Sequence, residues 1–286
     1  ERDFFAWADD LQYDPRRDWM RPFGPRPESH AHMIKHVIVP TERTITLSLN
    51  FHSLLIQSLR QRDPRLAANR RRLATIANLD AKKLGDHLEK MPWFPDGASG
   101  AIVQGPTGVS KSHSIKAFKR LFPQVIEHEE NEEYGWGSLK QLVYLEVPFP
   151  DEPSRRSLYK TILQAVDDAL QTDYAGDVKE RATNGDLLLK VIKVLTIHRC
   201  GLLILEEAQT RVLGAEVLGK EFVVTFLRLL NCGIPLVLVG NPVAFTNILT
   251  FSQDLRRFSC VGVFNFAPVF DGQDPEWTGE LVPAIW

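Results

Sequence analysis

Five apolar, β-type runs alternate with helical patterns through the second two-thirds of this chain. The runs fall at 100–104, 141–147 (Gln-Leu-Val-Tyr-Leu-Glu-Val), 201–205 (Gly-Leu-Leu-Ile-Leu), 235–239 (Pro-Leu-Val-Leu-Val) and 261–266 (Val-Gly-Val-Phe-Asn-Phe). Helical patterns occupy about 111–121, 154–172, 184–199, 216–231 and 243–249. Strands separated by helix-length crossovers pair in parallel, and parallel sheets are covered on both faces. Near-continuous apolar runs fit that double burial better than polar/apolar alternation does. The pattern predicts an α/β fold with a five-stranded parallel sheet flanked by helices. With 286 residues, 44% of them apolar, the chain can build one large core or a core plus an appendage.

The first run leads into Gly105-Pro106-Thr107-Gly108-Val109-Ser110-Lys111-Ser112, which opens the helical pattern from Ser112 to Leu121. Strand, glycine-bearing loop, Lys-Ser and helix make the layout of a phosphate-binding loop. Backbone N–H groups there face an anionic phosphate chain. Lys111 can reach β- and γ-phosphates, and the Ser112 hydroxyl can ligate Mg²⁺. The pattern G-x-x-x-x-G-K-[ST] has glycine where this chain has Ser110. A Cβ at that position crowds the loop and strains it if the backbone needs positive φ. Without further support, the same string is a polar loop capping a helix.

The run at 201–205 ends in Glu206-Glu207. A buried strand ending in acids beside a phosphate loop is a Walker B arrangement. The first acid, Glu206, is the Mg²⁺-side residue where Asp is usual. The change matters because Mg²⁺ demands near-ideal octahedral geometry at about 2.1 Å. Glu207 is placed to orient and deprotonate an attacking water. The alternative is a solvent-facing Glu pair. Asn241 ends the next strand, at the sensor position of AAA+ proteins, although Gly-Asn-Pro is also an ordinary turn. Arg256 and Arg257 precede the last strand, where one of them can reach a neighbouring subunit's nucleotide. They can also form a surface pair with Asp254.

The region before the loop is less regular. Residues 1–40 carry Pro15, Pro22, Pro25 and Pro27 among aromatic anchors and read as an arm. His30, His32 and His36 lie close together without a cysteine or carboxylate cluster, which leaves a metal site open but unsupported. A helix is expected over 42–62 and another over 73–95. Between them Arg60, Arg62, Arg65, Arg70, Arg71 and Arg72 with Asp63 give residues 60–72 a net charge of +5. Such a run is a solvated helical face or a phosphate-backbone contact surface. The formal net charge of −2 excludes a polycation, so nucleic-acid binding needs a local patch. Cys200, Cys232 and Cys260 are far apart, which argues for a reduced compartment. No apolar run approaches the ~18 residues of a membrane span, and the first residues are not a signal peptide.

The chain resembles the TnsC/TniB family, AAA+ regulators of bacterial DNA transposition that include CRISPR-associated forms. The resemblance rests on the loop with Leu-Phe-Pro-Gln-Val-Ile (121–126), Gln-Leu-Val-Tyr-Leu-Glu-Val, Leu-Leu-Ile-Leu-Glu-Glu-Ala-Gln (202–209), Gly-Ile-Pro-Leu-Val-Leu-Val-Gly-Asn-Pro (233–242), Asp-Leu-Arg-Arg and Pro275-Glu276-Trp277. It covers about residue 36 to the end. It implies a P-loop AAA+ core at 99–286, a helical extension at 41–98, an arm at 1–40, and a helical lid missing or reduced. It also implies ATP and Mg²⁺ as cofactors, and head-to-tail homo-oligomers, as hexamer or heptamer rings or filaments, on double-stranded DNA. The implied partners are a TnsB-type transposase and a target selector of the TniQ or TnsD type, in the bacterial cytoplasm with no membrane. Ser110 and Glu206 depart from the usual pattern and weigh on hydrolysis more than on nucleotide binding. Two other readings stand beside this one: a degenerate nucleotide-binding scaffold, and an AAA+ ATPase acting on protein partners without DNA.

Overall fold

The computed structural model describes residues 38–79, 97–133, 137–150, 154–208, 216–245, 262–268 and 272–281. The arm with His30, His32 and His36, the stretch from 80 to 96, and Arg256 and Arg257 lie outside the described residues.

Among the described residues, helices α1 (Glu42–Gln61) and α2 (Ala67–Ala77) come first. Strand β1 (Gly100–Gln104) leads through the glycine loop into α3 (Lys111–Lys119). An antiparallel pair follows, β2 (Val125–His128) with β3 (Leu139–Leu142). Then come β4 (Leu145–Pro148), α4 (Arg155–Leu170), α5 (Asn184–Ile197), β5 (Leu203–Ala208), α6 (Glu216–Asn231) and β6 (Leu236–Gly240). A 3₁₀ turn (Pro242–Phe245), β7 (Val263–Asn265) and a π-helical turn (Trp277–Leu281) complete the described chain.

The five-stranded sheet runs β4-β5-β6-β1-β7, with all neighbours parallel. Strand β6 therefore stands between the strand that feeds the loop and the strand that ends in acids. Gln104 pairs with both Gly240 and Asn265, and Pro148 pairs with Glu206. The carboxyl ends of the strands thus share one edge, which is where open α/β sheets bind ligands.

Period-two alternation splits each strand between two cores. Ile102, Leu203, Leu205, Leu236 and Leu238 face α4, α5 and α6, packing with Ile162, Leu188, Ile192, Phe222 and Phe226. Ala101, Val103, Leu202, Ile204, Val237 and Val239 face α1 and α3, packing with Leu47, Phe51, Ile115 and Phe118. Both faces are covered, as the apolar strands require.

Helix α1 starts at Thr41, whose hydroxyl accepts from the Thr44 N–H. Its buried positions, Leu47, Phe51, Leu54, Leu55 and Ser58, recur at helical spacing along one face. The Thr44 and Ser114 hydroxyls meet at 3.0 Å and tie it to α3. Hydroxyl caps also open α4, from Ser154, and α5, through a Thr183–Asp186 capping box.

The expected strand at 141–147 is divided. Leu142 ends β3, the Leu142 N–H donates to His198 O and the Val143 N–H to Gln124 O, and the parallel strand begins only at Leu145. Both halves are buried, so hydrophobicity does not mark the change of sheet.

Phe51 is fully buried and meets the rings of Phe118 and Phe264 edge-on, at 5.3 and 6.4 Å between centroids. Phe51→Ala is expected to lower stability by about 3–5 kcal/mol in urea unfolding.

Candidate functional site

The loop between β1 and α3 is shaped by close approach and by handedness. The Gly105 N–H donates to Gly240 O at 3.3 Å, and a Cβ on Gly105 would lie 2.5 Å from Phe266 O. Glycine is required there because the chain leaving β7 passes against it. Gly108 has φ +88° and Ser110 has φ +66°. The backbone therefore adopts the left-handed conformation where the usual motif has glycine, and a serine carries it at a cost of about 1–2 kcal/mol. Helix α3 begins at the next residue, so the loop ends on a helix N-terminus. Lys111 Nζ folds back over the loop, donating to Gly105 O at 2.7 Å and Pro106 O at 2.6 Å. Burial lowers its pKa, and the Glu206 charge works in the opposite direction.

Across the sheet edge, Glu206 is half-buried, with the Ser112 hydroxyl close enough to pull its pKa slightly down. Its Oε1 is buried with no hydrogen-bond partner among the described residues. Burial first, then the neighbouring Glu146 and Glu207 carboxylates, push its pKa up to about 7, while Lys119 pulls it down. Lys119 itself is ion-paired with Glu146. Glu207 is exposed and has φ +59°. The pairing of β5 with β6 slips between Leu205 and Ala208, so the two acids sit in the irregularity. Strained backbone of this kind clusters at functional sites.

Asn241 is exposed just past β6. Its Oδ1 accepts from the Val243 N–H at 3.1 Å, and its backbone O accepts from the Ala244 N–H. That carbonyl oxygen is therefore engaged in the turn. Gln104, unmarked in the sequence, donates to Asn265 Oδ1 at 2.6 Å at the same edge.

Beside the loop opens a cavity of about 640 Å³. Thr41 and Thr44 of the α1 start, Val109, His113, Phe266 and Trp277 are among the residues that line it. Arg43 bridges its walls. The Arg43 Nη1 donates to Ala267 O at 2.8 Å, and Nε lies 2.8 Å from Glu276 Oε2, an ion contact outside hydrogen-bond geometry. Glu280 accepts from the Glu42 N–H. Sequence reading missed this pocket because residues 41–44 carry only a helix-start signal, and Trp277 lies far along the chain.

The predicted basic surface is partly dismantled. Arg62 is buried, and its Nη2 donates to Ser58 Oγ and Cys200 O, each at 2.6 Å. It anchors the end of α1 and is removed from the DNA-contact set. Burial lowers its pKa to about 10. Arg65 forks onto Asp63, Arg70 caps the Pro64 and Arg65 carbonyls, and Arg72 donates to Asn69. Arg60 and Arg71 are exposed. Among the described residues no group of three His, Cys, Asp or Glu could hold a metal ion, and no helix is long and apolar enough to cross a membrane.

The parallel sheet, glycine loop and acid-ended strand define a P-loop core of the AAA+ type. A family model for the bacterial TniB protein matches residues 67–268, and the chain belongs to that family, a transposition-associated group of AAA+ proteins. No curated protein matches the sequence. Among solved structures, the chain is similar to the Aeropyrum pernix ORC1 protein in complex with DNA, at 15% identity over 73% of this chain and 49% of that one, with a TM-score of 0.39. It is similar to the Aeropyrum pernix ORC2 protein (ADPNP-ADP complexes), at 18% identity over 71% and 48%, with a TM-score of 0.39. It is also similar to Cdc6p from Pyrobaculum aerophilum, at 16% identity over 66% and 44%, with a TM-score of 0.38. The chain spans about half the length of these structures.

Ser110→Gly is expected to raise stability by about 1 kcal/mol in urea unfolding, by relieving the left-handed serine. Glu206 gives a pH dependence. Its folded-state pKa is raised from 4.5 to about 7, so within that window the folded protein holds the proton that the unfolded chain releases. Stability of the metal-free protein falls as pH rises through the window, and Glu206→Gln flattens the fall in a thermal-melt series with chelator.

Proposed function

We propose that this chain is an ATP-dependent regulator of DNA transposition that assembles head to tail on double-stranded DNA and couples a target-selection protein to a transposase. The observation that carries the nucleotide part is the glycine loop itself, left-handed at Gly108 and Ser110, ending on the N-terminus of α3 and opening onto the 640 Å³ cavity. Residues 105–112 would hold the triphosphate, with Lys111 exchanging Gly105 O and Pro106 O for it, and the cavity would take the base.

The donor set fits Mg²⁺. Glu206 keeps a buried oxygen without a hydrogen-bond partner among the described residues, and hydroxyl and carboxylate oxygens are the ligands that Mg²⁺ takes. Ser112 and Glu206 would hold the ion, which supplies charge neutralisation at the phosphates. Glu207 accepts the proton of the attacking water, Asn241 positions that water, and Arg256 or Arg257 serves the neighbouring subunit's site. A trans arginine is worth about 10³–10⁵ in rate. Arg60, Arg65, Arg70, Arg71 and Arg72 form the basic surface that tracks phosphates, without reading sequence. The selector protein then decides the target. The cytoplasm of a bacterium is the setting.

Two observations favour slow turnover: Ser110 holds a left-handed backbone in the loop, and burial beside Glu146 and Glu207 disfavours the charge on Glu206. A scaffold that assembles on nucleotide binding alone is the second reading.

Anisotropy of a labelled, arbitrary-sequence duplex separates these cases, with Mg·ATP, a slowly hydrolysed analogue or no nucleotide. Nucleotide-dependent binding that is lost in Lys111→Ala is the expected result. Decay with ATP but persistence with the analogue adds turnover, and no decay in either supports the scaffold. Absence of DNA binding in every condition overturns the transposition-filament reading. The salt slope should flatten by about 0.9 for each phosphate contact removed from the arginine surface.

A further inference from the structure

The cavity beside the loop has two walls from distant parts of the chain. One is the start of α1 with Val109 and His113, and the other is the turn around Pro275–Leu281. Trp277 belongs to the second wall. It is 42% exposed and lines the cavity that the loop residues Pro106 to Ser110 also line. A large apolar ring left in water costs hydrophobic free energy, and nearby apolar groups could have covered it. The turn that carries it is held by charge. Glu276, next to Trp277, makes the ion contact with Arg43, Glu280 accepts from the Glu42 N–H, and the Asp274 carboxylate accepts from the Glu276 N–H at 2.9 Å. Arg43 also donates to Ala267 O, just beyond β7. These contacts fix the turn beside α1, while Trp277 stays partly exposed in the cavity wall.

We infer that Trp277 is the platform for the nucleobase, and that the Arg43–Glu276 pair is the strap that holds this platform in place. The inference rests on the nucleotide reading of the loop. The ligand class is a purine nucleoside triphosphate. A flat indole offers every base a π-face, and a purine's two rings overlap it more than a pyrimidine's one. His113 adds a polar side chain to the same space, whereas the Thr41 and Thr44 hydroxyls are engaged with each other and with Ser114. Arg43 and Glu276 act through the position of the turn and are positioning residues. Their charges meet each other, so the cavity wall presents little net charge to the base.

The test uses the full chain and equilibrium binding of ATP and UTP, with Trp277→Ala, Trp277→Phe, Arg43→Met and Lys111→Ala. The wild type is expected to bind ATP tighter than UTP. Trp277→Ala should weaken ATP about ten-fold, within the range of one lost base–aromatic stack, and should bring the ATP/UTP ratio towards one. Trp277→Phe should restore most of both. Arg43→Met should speed release of a fluorescent ADP analogue several-fold in stopped flow. Lys111→Ala should weaken ATP and UTP alike, because it removes phosphate contacts shared by both. An unchanged ATP/UTP ratio in Trp277→Ala overturns the platform, even if both affinities drop, since a purely structural role lowers them together. A Trp277→Phe that behaves as Trp277→Ala also overturns it. If the wild type binds neither nucleotide, the loop reading itself fails, an outcome distinct from a lost ratio.

Discussion

A parallel sheet with two apolar faces needs two covers, and here the second cover is drawn partly from outside the alternating pattern. Helices α4, α5 and α6 supply one. The other combines α3 with α1, a helix that precedes β1 by nearly forty residues. That arrangement decides where the site can lie. With α1 laid against α3 through the Thr44–Ser114 hydroxyl contact, the start of α1 is brought beside the glycine loop. The covering helix thus becomes a wall of the pocket, and the stability of the sheet and the shape of the site depend on the same packing of Phe51 and Phe118.

The strand order matters equally. Because β6 separates β1 from β5, the loop and the acid pair are not on neighbouring strands. The pairing of β5 with β6 slips between Leu205 and Ala208, and of the two acids in that slip Glu206 is half-buried and Glu207 exposed. Two adjacent residues of the same type therefore have different access to water.

The parallel strands were legible in the sequence because full burial makes them almost wholly apolar. The same property hid the division of 141–147, where Leu142 and Leu145 look alike although they serve different sheets. The strain at Ser110 was readable from the motif, since a left-handed position needs no tertiary information to be recognised. Arg62 was not readable. Six arginines in thirteen residues look like one surface, and only the carbonyl of Cys200, distant in sequence, draws one of them inside. The pocket was beyond reach for the same reason: Thr41, His113 and Trp277 have no common spacing, and only the folded sheet brings them together.

Lys111 meets its own loop before it meets anything else. Its ammonium group is already coordinated by two carbonyls at 2.6–2.7 Å, so an incoming anion exchanges partners with it. Hydrogen bonds to charged groups are each worth about 1.5–3 kcal/mol, and a ligand must replace them to gain the lysine. A singly charged or small anion has little with which to do so, whereas a polyphosphate can also engage the backbone donors of the loop and the helix end. On the nucleotide reading proposed above, the folded-back lysine sets a threshold that a chain of linked charges passes more readily than a simple anion does.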